Sequence, residues 1–130
     1  MDLRHAYYSL RIAEEQHRYF CFKWAGVVYQ FTYLPNGFSE GLRIFTKLMK
    51  PVFAVLRGMS YTINSFIDDT LLCNQSRASC IACNYDTIAL LQKLGFCINS
   101  KKSVLVPTKW FEYLGDIIDT NYMTVFFTCM

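Results

Sequence analysis

The sequence predicts an α+β domain in which two helices cover one face of a mainly antiparallel sheet. Three observations carry that expectation. Residues 19–24 with 27–33, and 61–67 with 71–73, are paired short runs rich in aromatic and β-branched residues, the mark of hairpins. Phe38, Leu42, Phe45, Met49, Val52 and Leu56 recur at steps of three and four, one face of a helix. Ile81, Tyr85, Ile88, Leu91 and Gly95 recur in the same way and predict a second helix.

Taken in order, residues 7–15 read as a short irregular or helical stretch. Ala25-Gly26 separates the first two strands as a hairpin turn. Leu34-Pro35-Asn36-Gly37 is punctuation, because Pro fixes φ and Asn-Gly accepts positive φ. Ser39-Glu40 reads as the N-terminal cap of the first helix. Pro51 is expected to kink or divide that helix, and Gly58 to end it. Asp68-Asp69-Thr70 joins the strands of the second hairpin. After a polar break at 74–76 the second helix runs to Leu94-Gly95. Residues 104–106, 111–114 and 117–118 read as short strands.

At 130 residues and 15.2 kDa the chain forms one domain with one core, spanning 1–130. With 53% hydrophobic and 18% charged residues it is neither a disordered tail nor a coiled coil. No apolar run approaches the ~18 residues of a membrane span. No basic start leads into an apolar stretch of signal-peptide kind, so an intracellular, non-secreted protein is expected. Eleven Phe and nine Tyr are much ring surface for so short a chain, and predict that some of it packs against a further segment. Of six cysteines (Cys21, Cys73, Cys80, Cys83, Cys97 and Cys129) only Cys80 and Cys83 form a CxxC. A zinc site needs a second ligand pair at matching spacing, so reduced structural thiols are expected.

Phe66-Ile67-Asp68-Asp69 places two adjacent carboxylates between two apolar strands. Two readings stand open. Asp is common in turns because it bonds its own backbone and accepts left-handed geometry. Two-metal phosphoryl transfer also needs hard oxygen ligands holding two Mg²⁺ about 3.5–4 Å apart. Carboxylates on a tight turn, beside a strand that bears another, build such a clamp.

Other segments favour the second reading. Asp2-Leu3-Arg4-His5-Ala6-Tyr7-Tyr8 sets an Asp five residues before an aromatic. Leu34-Pro35-Asn36-Gly37-Phe38-Ser39 runs into Arg43-Ile44-Phe45-Thr46-Lys47. Leu94-Gly95-Phe96 is followed by Asn99 and Lys101-Lys102-Ser103, and Phe111-Glu112-Tyr113-Leu114-Gly115 comes last. In this order, with Phe66-Ile67-Asp68-Asp69 as a YxDD box carrying Phe for Tyr, the set resembles the palm of retroelement reverse transcriptases. The segments AYYS, IAEE and RIFTK, with LGF, IN and KKSVL, are most similar to the DIRS-type and gypsy-like retrotransposon branch. The resemblance covers nearly the whole chain and implies a palm-type sheet.

It also implies roles. Asp2, Asp68 and Asp69 would bind two Mg²⁺ or Mn²⁺ ions. Lys102, with Lys101 as the alternative, would approach the triphosphate and protonate the leaving pyrophosphate; a solvated lysine pair is the plainer reading. Leu3, Arg4, His5, Ala6, Tyr7, Asn36 and Gly37 would form the nucleotide site. Tyr7 would be the steric gate against a 2′-hydroxyl, where core packing is the alternative. Asn36 departs from the Gln or Phe common in relatives, and Gly41-Leu42 from a small residue followed by Pro. Tyr113, Leu114 and Gly115 would form the primer grip. Other palm enzymes, RNA-dependent RNA polymerases or nucleotide cyclases, leave Tyr7 and the KKS and YLG segments unexplained.

The implied partners are an RNA or DNA template-primer and a deoxynucleoside triphosphate, with no membrane. Formal charge is +3, and setting aside Asp2, Asp68 and Asp69 leaves thirteen basic against seven acidic residues, +6, which fits attraction to a nucleic-acid backbone. The resemblance predicts that fingers, thumb and RNase H segments of a parent polyprotein are missing. A truncated palm fragment is expected to be inactive alone. Two hypotheses follow: the palm of an RNA-directed DNA polymerase that is catalytic only within a larger protein, or a non-catalytic retrotransposon remnant that binds nucleic acid weakly.

Overall fold

The computed structural model describes residues 1–127; Cys129 lies outside the described residues. The chain opens with β1 (Leu3–Arg4) and two 3₁₀ turns (Tyr7–Ser9, Glu14–Tyr19). A hairpin follows, β2 (Cys21–Trp24) and β3 (Val27–Gln30), then the long helix α1 (Gly41–Gly58). A second hairpin, β4 (Thr62–Phe66) and β5 (Asp69–Cys73), leads into α2 (Arg77–Lys93). β6 (Cys97–Ile98) and a meander of β7 (Trp110–Tyr113), β8 (Asp116–Asp119) and β9 (Thr124–Phe127) complete the fold. All strand pairs are antiparallel, and the fold is the expected α+β palm type with two main helices.

The sheet is built of small ladders. β1 pairs with β6, Leu3 opposite Ile98. On its other side residue 2 bridges to Asp69 at the start of β5, and Thr70 N–H donates to the Met1 carbonyl at 2.8 Å. These bonds set the order β4-β5-β1-β6 across the middle of the fold. Turn chemistry explains the hairpins. Ala25 (φ 49°) and Gly26 (φ 83°), and likewise Leu114 (φ 55°) and Gly115 (φ 85°), take the paired positive φ that matches strand twist in two-residue loops.

The core lies between the helices and the central strands. α1 buries Gly41, Phe45, Met49, Phe53 and Leu56 against Leu3, Ala6, Ile63, Cys83, Leu91 and Phe96. The Arg57 guanidinium donates twice to the Ile63 carbonyl, at 3.0 and 3.2 Å, fixing the end of α1 to β4. Tyr61 Oη donates to Asp86 Oδ2 at 2.6 Å and ties the start of β4 to α2.

Several expectations need correction. Pro51 does not divide α1, which is continuous over Gly41–Gly58. The ring removes one backbone donor, but buried Met49, Phe53 and Leu56 on either side hold the turns together. The helix begins at the expected Ser39-Glu40 segment, with Glu40 at the N-cap, but no side chain caps it: the Glu40 carboxylate pairs with Arg43 rather than with the backbone. Leu42, read as core, is 44% exposed, and Phe53 takes its place in the buried stripe. The second helix departs from its predicted phase in its first half. Ile81 and Tyr85 are exposed, whereas Cys83, Thr87 and Leu91 are buried. Leu91 is buried as predicted and Ile88 half-buried, but the other two buried residues are small or polar, so apolar periodicity misplaced the N-terminal part of the buried face. Ser76 caps this helix, its Oγ accepting from Ser79 N–H at 3.1 Å. Residues 104–106 are not a strand, and Asn84 Nδ2 donates to the Leu105 carbonyl at 2.7 Å to hold that segment.

Candidate active site

The three carboxylates meet because of pairing register. In the β4–β5 hairpin Phe66 stands opposite Asp69, leaving Ile67 and Asp68 as the two loop residues. Asp69 is therefore the first residue of β5 rather than part of the turn, which corrects the expected placement of both Asp in the loop. Ile67 has φ 58°, an uncommon conformation for a β-branched residue and a site of local strain beside Asp68. Asp2 stands directly opposite Asp69 in the antiparallel bridge. Opposed residues share one face with Cβ atoms roughly 4.5–5.5 Å apart, where like charges repel.

Electrostatics record this crowding. Burial, then Asp68, then Asp2 push the Asp69 carboxyl above its ordinary value, while the Met1 ammonium and Lys102 pull the other way. A raised carboxyl favours the folded state only while protonated. That stability is present below the ordinary carboxylate range and is lost as pH rises through the raised value. Asp69→Asn is therefore expected to raise the melting temperature at pH 7, with a gain in unfolding free energy of less than about 1 kcal/mol for a partly solvated group. The gain should vanish near pH 3, where both states are protonated. Melts at the two pH values check this, and an equal shift at both would exclude a charge effect.

Asp2 is fixed from its other side. Asn99 Nδ2 donates to Asp2 Oδ2 at 2.7 Å, Asn99 N–H donates to the Asp2 carbonyl at 2.9 Å, and Asp2 N–H donates to Ser103 Oγ at 2.9 Å. The Asn99–Ser103 turn also carries Lys102. A groove of ≈ 670 Å³ is lined by Asp2, Asp68, Asp69 and Lys102 and also by Tyr113, Leu114 and Gly115. Burial and then Asp69 push the Tyr113 phenol up, and its oxygen is buried without a hydrogen-bond partner among the described residues.

The remaining predicted residues are not in the lining of this groove. Tyr7 is half-buried, its ring edge-on to Phe45 at 5.6 Å. Burial and the charge of Asp68 push its phenol up, which puts it on the carboxylate side. Leu3 and Ala6 are core residues, so any contact of theirs with a nucleotide falls to the backbone. Arg4 and His5 are exposed, and His5 has φ 54°. Asn36 and Gly37 are exposed in the bend before α1, Gly37 at φ 86°. The roles of Asn99 and Ser103 were missed: Asn99 stood in a recognised segment, but nothing local shows that its partner lies 97 residues away.

The donor set suits a hard divalent cation in kind, with three carboxylates facing one groove and the Asp69 carboxyl pushed up by its neighbours. Among the described residues no three metal-ligating side chains are drawn into one closed group, so the carboxylates stand around the groove rather than converging on a point. Cys73, Cys80 and Cys83 are free thiols, with Cys83 packed in the core.

An antiparallel palm carrying hairpin carboxylates over a groove defines a class of fold, that of template-directed polymerase palms. The profile described as "Reverse transcriptase (RNA-dependent DNA polymerase)" matches residues 1–118, and the chain belongs to that family. The Gag-Pol polyprotein of avian reticuloendotheliosis virus is 28% identical over 88% of this chain and 11% of its own length. The Gag-Pol polyprotein of baboon endogenous virus (strain M7) is 30% identical over 91% of this chain and 7% of its own. The chain thus spans about a tenth of these relatives. The foamy viral protease-reverse transcriptase in complex with RNA/DNA hybrid superposes with TM-score 0.85 at 22% identity, over 98% of this chain and 16% of that one. That likeness shows the fold. No helix among the described residues is long and apolar enough to cross a membrane.

Proposed function

We propose that the chain is the palm of an RNA-directed DNA polymerase and carries its nucleotidyl-transfer site. The observation that carries this reading is that Asp2, Asp68, Asp69 and Lys102 line one groove together with Tyr113, Leu114 and Gly115. Asp2, Asp68 and Asp69 would hold two Mg²⁺ or Mn²⁺ ions, which when bound activate the attacking hydroxyl and stabilise the leaving oxygen. Lys102 Nζ, on the same groove, donates a proton to the departing pyrophosphate. Tyr7, supported edge-on by Phe45, closes the space under the incoming sugar where a 2′-hydroxyl would sit. Tyr113, Leu114 and Gly115, at the two-residue turn between β7 and β8, hold the primer end at the same groove. Arg4, His5, Asn36 and Gly37 lie on the exposed approach for nucleotide and template.

A retrotransposon of the DIRS-type or gypsy-like branch is the proposed source, supported by the AYYS, RIFTK and KKSVL segments. The partners are a template-primer and a deoxynucleoside triphosphate. Retroviral relatives carry the matching segment within far longer polyproteins, which supports catalysis only with further segments in place.

Primer extension on an RNA template tests the proposal. It compares the 130-residue protein with the same chain preceded by about 80–100 residues of a related fingers region, the size of a domain piece. The extended protein is expected to synthesise DNA, and Tyr7→Ala in it to admit ribonucleotides. An extended protein that binds template-primer yet adds no nucleotide would overturn the polymerase reading and leave a nucleic-acid-binding remnant.

A further inference from the structure

Residue 2 is held by a turn distant in sequence, and one side chain of that turn reaches its carboxylate. Asn99 Nδ2 donates to Asp2 Oδ2 at 2.7 Å, and the Asn99 carbonyl accepts from Lys102 N–H at 3.2 Å and Ser103 N–H at 2.9 Å. Asn99 therefore touches the Asp2 carboxylate with its amide and the Lys102 backbone with its carbonyl. Ser103 also meets residue 2, but only at backbone atoms. Asp2 faces Asp69 across the bridge, where like charges repel and an untethered carboxylate would swing away.

We infer that Asn99 is a positioning residue: its amide holds the Asp2 carboxylate at the groove for a divalent cation. The inference rests on the metal reading above. The chemistry is that of an outer-shell donor orienting a ligating carboxylate, whose removal typically weakens metal binding by about 10–100-fold. Replacing Asn99 by Ala deletes only the side-chain bond, since the backbone bonds of the turn are independent of the amide.

Mn²⁺ binding to the 130-residue protein, followed by the electron paramagnetic resonance of free Mn²⁺, tests this without any need for catalysis. Wild type is expected to bind, and Asp68→Asn to lose most of that binding. Asn99→Ala and Asn99→Gly, the second chosen because Gly tolerates turns, should weaken it by about 10-fold or more with an unchanged circular dichroism spectrum. Tyr61→Phe, which removes the bond to Asp86 outside the groove, should lower the melting temperature and leave Mn²⁺ affinity unchanged. Wild-type affinity in both Asn99 variants overturns the inference while the metal reading stands. An equal loss in Tyr61→Phe also overturns it, because the effect would then belong to general destabilisation and not to the amide. Absence of Mn²⁺ binding by wild type, or binding indifferent to Asp68→Asn, overturns the metal reading and the inference with it.

Discussion

Asp68→Asn is expected to reduce primer extension by the fingers-extended protein by about 10³-fold or more. Removing a single preorganised electrostatic contact to a transition state already costs on the order of 10²–10³ in rate. Here the lost group is a charge that would bind the metal ions themselves. The substitution preserves shape, and Asn tolerates the second loop position of the β4–β5 hairpin as Asp does. Asp68 also repels Asp69 and helps push its carboxyl up, so neutralising it relieves strain in the folded state. Activity and stability should therefore move in opposite directions: extension lost, melting temperature unchanged or slightly raised. Single-turnover extension and a thermal melt on one preparation check both. Extension within about tenfold of wild type would remove Asp68 from the chemistry, because that is far less than an electrostatic catalytic group contributes.

Phe45→Ala is expected to lower unfolding stability by about 3–5 kcal/mol, the usual range for truncating a buried aromatic. Phe45 is fully buried in the N-terminal part of α1 and meets two rings edge-on, Tyr7 at 5.6 Å and Phe96 at 6.2 Å. A loss of that size is comparable to the whole stability of many domains, about 5–15 kcal/mol. Leu42→Ala is the matched control. It lies on the same predicted face, but the side chain is 44% exposed, and a surface substitution should stay within about 0.5 kcal/mol. Denaturant unfolding of the two variants separates them through their midpoints. Similar losses would mean that Leu42 is buried and that the packing of α1 described above is wrong.

Phe45 also shows how core and site are coupled. The ring that would gate the sugar leans on it, so packing in α1 sets where Tyr7 stands. The carboxylates depend in the same way on the backbone. Asp69 faces Asp2 because the two-residue loop at Ile67-Asp68 sets the register of β5, and a slip of one residue would turn Asp69 to the other side of the sheet. Much of this was legible beforehand. The first hairpin announced itself through Ala25-Gly26, whose positive φ is a local property of turns, whereas Leu114, read as strand, stands in the loop of the last one. The first helix was legible because large apolar residues mark its buried stripe. The second was misphased in its first half because Cys83 and Thr87, small or polar, are the buried residues there while Ile81 and Tyr85 face outward.

By itself the sequence determined the order of the elements, both helices, the hairpin turns and the segments whose succession places the chain among reverse transcriptases. These are carried by local propensity, periodicity and spacing, which require no knowledge of distant partners. Tertiary structure alone decided that Asp2 pairs with Asp69, that Asn99 takes the Asp2 carboxylate, that Leu3 and Ala6 are core, and that α1 runs unbroken through Pro51. The physical reason is common to all four. Each depends on groups brought together by packing, and the free energy of burial and pairing overrides a local preference of a few kcal/mol at most.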